Sequence, residues 1–374
     1  MKSMKKLVLT GLVLLTSVVV LAGCKMEPEG QQGPQGQKVY KFTSEPRILS
    51  DYKSPNNTDS EWTYVAFGDW PQTIKADDVE VTEDESTKKE MGMFTYYLGS
   101  DGNYYVKVTA NPYREGYKYS DGSVVEEGEV VYFKVEPIVW RVLTEDYKVP
   151  GEGGELQSTH NALLLAENIL TGGIRYYVNE NTRTITGAGT KEGEPDTVYS
   201  NNYKYSTIRA WLNGKYEADD TQAQTYSNKG FLQTAFTETA RDQIADTEVD
   251  NSARSTNPDS DANQWDSGAN PYASETKTKD KIFLLSVQEA TKADYGFAKQ
   301  IVGGNTRIRV STDYVKATGA LQSAGNGSWW WLRSPSSNDE SNVRFIYHDG
   351  DANSYYYVTH TNGGVVPALS ISLQ

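Results

Sequence analysis

Apolar positions along this chain fall into three regimes. The first is a continuous run over residues 7–20, preceded by Lys2, Lys5 and Lys6; it is too short and too one-sided in its flanks for a settled transmembrane span, and it predicts an export leader over residues 1–23. The second, residues 24–39, has no apolar period and is built around Gly30-Gln31-Gln32-Gly33-Pro34-Gln35-Gly36. A few collagen-like triplets cannot sustain a triple helix, so this segment predicts a flexible tether. The third regime fills residues 40–374. Short β-branched and aromatic runs at 62–67, 104–109, 130–135, 138–143 and 282–286, separated by turn residues, predict strands. Asp-Gly punctuation at 100–102 and 120–122 predicts hairpin turns. Helical patterns are fewer: 206–213 with Ser206 as N-cap, 237–245 after Thr237, and 286–294. Residues 247–281 are polar with few apolar anchors and predict a surface insertion. No repeat or domain boundary is visible, and strand patterns at both ends favour one α+β domain over residues 40–374.

Composition sharpens this in two ways. The 26 tyrosines supply large rings that tolerate both apolar and wet surroundings, which suits a sheet-rich protein facing a ligand. The formal charge of -14, more negative still once the leader lysines leave, repels phosphate backbones, so nucleic acid is not an expected partner. Cys24 is the one cysteine and closes the string Leu21-Ala22-Gly23-Cys24, a match to the bacterial lipobox. Cleavage before Cys24 and acylation of its sulfur would anchor the chain to a membrane by lipid alone. The exported part then has neither a disulfide nor thiol chemistry of its own. Lys25 is not the aspartate that retains some lipoproteins at the inner membrane, which favours outer-surface display.

Candidate catalytic chemistry is sparse. His160, His348 and His360 are the only histidines, and no Gly-x-Ser-x-Gly turn presents a serine. The run Asp259-Ser260-Asp261-Ala262-Asn263 begins like a calcium loop, but Gln264 stands where glycine is wanted and Asn270 where a bidentate glutamate is wanted. No metal and no cofactor are expected. No carboxylate spacing singles out the pair that a carbohydrate-active enzyme requires.

The C-terminal end is more informative. Trp329-Trp330-Trp331-Leu332-Arg333-Ser334-Pro335 and Gly363-Gly364-Val365-Val366-Pro367-Ala368-Leu369 bracket a polar block. The brackets should bury, leaving residues 336–362 to run across the surface between fixed strands. Most of its residues, Ser337, Asn338, Asp339, Ser341, Asn342, Tyr347, His348, Asp349, Asp351, Asn353, Ser354, Tyr355, Tyr356, Tyr357, Thr359, His360, Thr361 and Asn362, are asparagine or one base change from an asparagine codon. They are also what any exposed strand and turn would carry. Equally, they are the residues of binding loops, where tyrosine brings contact area with two χ angles and small polar residues adapt their hydrogen bonds.

Together with Phe67-Gly68-Asp69-Trp70-Pro71-Gln72, Pro137-Ile138-Val139-Trp140-Arg141-Val142-Leu143, Ser206-Thr207-Ile208-Arg209-Ala210-Trp211-Leu212-Asn213, Phe283-Leu284-Leu285-Ser286 and Trp330-Trp331-Leu332-Arg333-Ser334, this block resembles the variable proteins of diversity-generating retroelements, in particular treponemal surface lipoproteins of that class. The resemblance implies a C-type lectin fold of the formylglycine-generating-enzyme subtype, in which N- and C-terminal strands pair and variable residues cover one solvent face. It implies a ligand face made of Ser337, Asn338, Asp339, Ser341, Tyr347, His348, Asp351, Asn353, Ser354, Tyr355, Tyr356, Tyr357, Thr359 and His360, with the tyrosines and histidines as main contributors and residues 329–333 as scaffold. Asn342, Asp349, Asn353 and Asn362 are also residues that a fixed turn would use. Formylglycine-generating activity needs active-site cysteines that the mature domain lacks, and the Glu-Pro-Asn and Gln-Pro-Asp tripeptides of calcium-dependent lectins are absent. The resulting expectation is a non-enzymatic surface receptor or adhesin with an extracellular protein or glycan ligand. The alternatives are a fixed structural envelope lipoprotein of the same fold and a carbohydrate-active enzyme.

Overall fold

A computed structural model describes residues 38–56, 62–151, 154–188, 196–215, 221–259, 270–273, 277–298, 301–323, 325, 327–352 and 354–373. The expected leader, Cys24, nearly all of the tether, residues 260–264 of the calcium-like run and Asn353 lie outside them. Among the described residues no helix is long and apolar enough to cross a membrane.

The main strands are β1 (Arg47–Leu49), β2 (Tyr64–Ile74), β3 (Lys89–Met91), β4 (Phe94–Leu98), β5 (Tyr104–Thr109), β6 (Val130–Thr144), β7 (Ala162–Ala166), β8 (Ile282–Phe283), β9 (Trp330–Pro335), β10 (Asn342–Ile346), β11 (Ser354–Tyr357) and β12 (Ala368–Ile371). With few and short helices, the class is α+β. The largest sheet is antiparallel in every pairing and runs β8-β12-β7-β6-β5-β4-β3, with β2 on the other edge of β6 and β1 on β2. β6 is its spine. One edge pairs with β2 from Arg141↔Tyr64 to Phe133↔Ile74; the opposite edge serves β5 at its N-terminal half and β7 at its C-terminal half. One strand feeding two partners from a single edge must twist strongly, and the sheet curls around it.

The sequence pattern predicts two strands at 130–135 and 138–143; they are one. Pro137 has no N–H to give the ladder, yet it sits in register with Asp69 beside an irregularity in β2. There Phe67 and Gly68 together oppose Ile138, and Gly68 takes φ 71° to make the bulge. A Cβ at Gly68 would stand 2.5 Å from the Phe236 ring, so glycine is required by space as well as by conformation. The neighbouring motif residues are equally structural. Trp70 donates its indole N–H to the Leu170 carbonyl at 2.7 Å, and Trp140 donates to the Phe67 carbonyl at 2.7 Å.

Contrary to the pairing implied by the resemblance, the terminal strands among the described residues do not meet. β12 pairs with β7 and β8, and β1 pairs with β2; β2, β6 and β7 separate β1 from β12 within the same sheet. β12 is buried at every residue, because a strand with a partner on each edge and a packed layer on each face can carry Ala-Leu-Ser-Ile almost without polarity.

Helix Thr207–Asn213 starts where expected, with the Ser206 hydroxyl accepting from the Arg209 N–H. Thr237 caps Glu238–Gln243 in the same way. The helix expected at 286–294 is shorter. Ser286 and Glu289 form a capping box on Val287–Ala290, and a 3-10 turn follows at Ala293–Tyr295. The polar stretch 247–281 is corrected more substantially. Thr247–Val249 and Thr278–Asp280 form an antiparallel ladder, and Val249, Asn251, Ser255, Thr256, Thr278 and Asp280 are buried. Its described parts belong to the body of the domain, because several of their polar groups find partners inside it. Arg209 pairs with Asp280 at 2.8 Å, and Asn270 donates to the Pro335 carbonyl at 2.9 Å.

Candidate ligand-binding face

β9, β10 and β11 form a separate three-stranded antiparallel sheet. β9 and β10 are buried at every residue. Residues 336–362 therefore do not simply cross the surface. Their middle, Asn342–Ile346, is an interior strand, because Val343, Phe345 and Ile346 supply apolar side chains that the polar composition around them obscures. β11 is the edge strand, in register with β10 through Asn342↔Tyr357, Val343↔Tyr356, Arg344↔Tyr355 and Phe345↔Ser354.

Strand alternation should hide every second residue of β11, yet Tyr355, Tyr356 and Tyr357 are 43%, 39% and 47% exposed. Both faces of this edge reach solvent. Tyr356 leans on Trp329, with ring centroids 5.7 Å apart, and on Phe345 at 6.0 Å. Tyr355 points to the other face, where the Arg344 guanidinium lies 5.4 Å from its ring. Tyr347, 39% exposed, stacks on His348 at 4.0 Å at the tip of the hairpin. His360 follows β11 and lies 3.8 Å from the Tyr356 ring. Burial lowers the pKa of the His360 imidazole, while Glu180 opposes the shift, so the ring is neutral at physiological pH. Thr359 donates to Glu180 at 2.6 Å and ties that carboxylate to the same edge.

Both turns that carry this face are held from outside. At the hairpin tip, Arg307 is fully buried and donates from Nε to the Gly350 carbonyl and from Nη1 to the Ala298 carbonyl, each at 2.7 Å. Gly350 has φ 84°, and a Cβ on it would stand 2.2 Å from the Gly304 carbonyl oxygen. The Ala352 N–H donates to the Ile301 carbonyl at 2.8 Å. At the β9–β10 turn, Asn201 donates to the carbonyls of Asp339 and Asn342 at 3.0 and 3.1 Å. Ser200 donates to the Glu340 carbonyl at 2.9 Å.

The structure brings Tyr347, His348, Ser354, Tyr355, Tyr356, Tyr357, Thr359 and His360 onto β11 and its two flanks. Ser337, Asn338, Asp339 and Asp351 are accessible in the adjoining turns. Ser341 departs from the expectation: it is 6% exposed, and its N–H and hydroxyl both close on Asp339 Oδ1, so it builds the turn instead of facing a ligand. Asn342 and Asn362 are buried, and Asp349 accepts the Asp351 N–H at 3.0 Å. Core geometry leaves Asn342 and Asn362 almost no free surface, whereas Asp349 is exposed and serves its own turn. Sequence reasoning missed Arg307, Asn201 and Glu180, since nothing in the local pattern distinguishes a buried arginine or asparagine from a solvated one.

The rim is acidic. Asp339, Glu340, Asp349, Asp351 and Glu180 surround the tyrosines, and Arg344, the one cation within residues 334–373, is buried. Hollows among the described residues lie elsewhere. An open polar cleft of roughly 560 Å³ is lined by residues including Gln72, Lys118, Ser311, Asp313 and Lys316; among its described lining residues Asp313 is the sole carboxylate, and Ser120 and Lys316 engage it. A small cavity of roughly 50 Å³ adjoins Asp250, Asp259, Glu289 and Arg333. No group of three or more His, Cys, Asp or Glu side chains among the described residues is placed to hold a metal ion.

Comparison with known proteins returns one family. No curated protein and no solved structure matches the chain. The sequence profile of a domain of unknown function, DUF6273, matches residues 159–373, a span that runs from β7 to β12 and includes the whole candidate face. Since that span covers more than half of the chain, this protein belongs to the DUF6273 family.

Proposed function

We propose that this chain is a lipid-anchored surface protein whose β10–β11 hairpin presents a diversified, tyrosine-rich face to an extracellular ligand, on a scaffold of the C-type lectin fold of the formylglycine-generating-enzyme subtype. The observation that carries the reading is the contrast on that hairpin: four tyrosines at 39–47% exposure stand on backbone pinned by Arg307, Gly350 and Asn201. Rigid aromatic anchors lose little conformational entropy on binding, and a backbone held by buried side chains tolerates exchange of the residues it displays. The curled antiparallel sheet and the few short helices support the scaffold assignment. The acidic rim favours a partner whose contact surface is neutral or basic. In this reading the protein is not an enzyme, carries no cofactor, and touches the membrane only through acylated Cys24.

The test is to sequence the 3′ end of the gene and the adjoining DNA from many cells of one population. Substitutions should fall at adenine positions in the codons of accessible residues such as Asn338, Tyr347, His348, Tyr355, Tyr356, Tyr357 and His360. The buried Ser341, Asn342 and Asn362 should stay constant, and an adenine-rich near-copy should lie nearby. An invariant segment with no such copy overturns the diversified reading and leaves a fixed envelope lipoprotein.

A further inference from the structure

Away from the tyrosine face, two buried arginines share one carboxylate. Arg141 holds Glu167 in a bidentate pair, Nη2 to Oε1 at 2.6 Å and Nε to Oε2 at 2.9 Å, with both side chains at 0% exposure. Arg309 is also at 0% exposure. The two guanidiniums are neighbours, since Arg141 Nη1 and Arg309 Nη1 donate to the same Thr306 carbonyl at 3.1 and 3.0 Å. Glu167 has little acceptor capacity left for Arg309, because Ser54 and Asn56 also donate to its Oε1. Among the described residues the cluster therefore holds two cations and one anion.

Around it are buried donors without acceptors. Among the described residues Arg309 Nη2 and Trp62 Nε1 have no hydrogen-bond partner, and Tyr64 OH meets the Ser54 hydroxyl. Trp62 lies over the Arg141 guanidinium at 4.7 Å, and Tyr64 is the cross-strand register partner of Arg141. Burial lowers the Arg309 pKa to about 9, with Arg141 adding to the shift and Glu167 opposing it, so it remains a cation at neutral pH. A buried net positive charge with unpaired N–H groups is costly unless a counter-ion or acceptor completes it.

We propose that the chain binds a small monovalent inorganic anion, of which chloride is the most available, between Arg309, Arg141, Trp62 and Tyr64. The anion accepts from Arg309 Nη2 and from the Trp62 indole N–H, beside the Tyr64 ring, and neutralises the excess guanidinium. It ties the N-terminal segment before β2 to β6 and to the loop before Arg309, so its effect is on the integrity of the scaffold, independent of what the tyrosine face binds.

The full chain is tested by thermal unfolding at constant ionic strength while gluconate is exchanged for chloride. The midpoint should rise by about 3 °C and saturate, as expected for a ligand that binds the folded state. Crystals soaked in bromide should show an anomalous peak in contact with Arg309 Nη2. Arg309→Met, which leaves the neutral Arg141–Glu167 pair, should abolish the chloride response. Should that variant fail to fold, the bromide peak in the unsubstituted chain decides. An identical midpoint in gluconate and chloride, with no bromide density at the cluster, overturns the proposal and makes water the acceptor.

Discussion

Arg307 Nε donates to the Gly350 carbonyl at 2.7 Å across 43 residues of chain, so the hairpin tip that carries Tyr347 and His348 is held by a buried side chain from another loop. Arg307→Met would leave the Gly350, Ala298 and Gly303 carbonyls without their charged donor, at a cost of about 2–4 kcal/mol. Hydrogen exchange at residues 347–352 should accelerate more than exchange in β6. Unchanged protection at the tip would mean that its own turn suffices to hold it.

Display and core should separate on substitution. Phe345 is 6% exposed and packs on Trp329 at 4.8 Å, so Phe345→Ala should cost about 3–5 kcal/mol in urea unfolding. Tyr355→Ala and Tyr357→Ala, at 43% and 47% exposure, should change stability by no more than about 0.5 kcal/mol. If Tyr357→Ala were as damaging as Phe345→Ala, β11 would be core and the proposed face would be misplaced.

Arg333 is 2% exposed and donates to Glu289 at 2.5 Å, to the Leu284 carbonyl and to the Asp250 carbonyl. Burial pushes the Glu289 pKa up, but Arg333 and further hydrogen bonds outweigh it and hold the carboxyl below its usual range. Glu289→Gln should therefore destabilise by about 3–5 kcal/mol, since a guanidinium stays buried without its counter-ion. Adding Arg333→Met should cost much less than the two single losses combined. Simple additivity in that double-mutant cycle would show that the groups act independently.

Asp69 is fully buried, and burial raises its pKa to about 6 against hydrogen bonds from Tyr40 and Thr43. Its folded pKa exceeds the unfolded value near 3.9, so the folded state holds the proton more tightly. Its contribution is most favourable below about pH 4 and falls by roughly 3 kcal/mol as pH rises through about 6. Asp69→Asn has no such titration. The stability of the unsubstituted chain minus that of the variant should decline between pH 4 and pH 7 in urea unfolding; a constant difference would contradict the raised pKa.

Local signals in this chain were legible because short-range chemistry decides them. Ser206, Thr237 and Ser286 cap helices since their hydroxyls need only an N–H three residues on. The run Tyr104–Thr109 is a strand with the expected bounds because β-branched and aromatic side chains pack well on a pleated surface. The polar block at 336–362 marked the candidate face by composition alone.

The amino-acid sequence by itself determined the α+β class, the strand-rich body, the caps and the segment that carries the exposed tyrosines. Tertiary structure decided what no local window contains. It merged two strands through Pro137 by opposing them with the Gly68 bulge, placed β12 between β7 and β8 and away from β1, and drew the polar ladder Thr247–Val249 with Thr278–Asp280 into the body. It also turned Ser341 inward while leaving three consecutive tyrosines of β11 in solvent. The reason is common to all of these. Whether a polar residue is buried depends on a partner distant in the chain, as Arg307 depends on Gly350 and Arg209 on Asp280, and such partners are specified by the packing of whole elements.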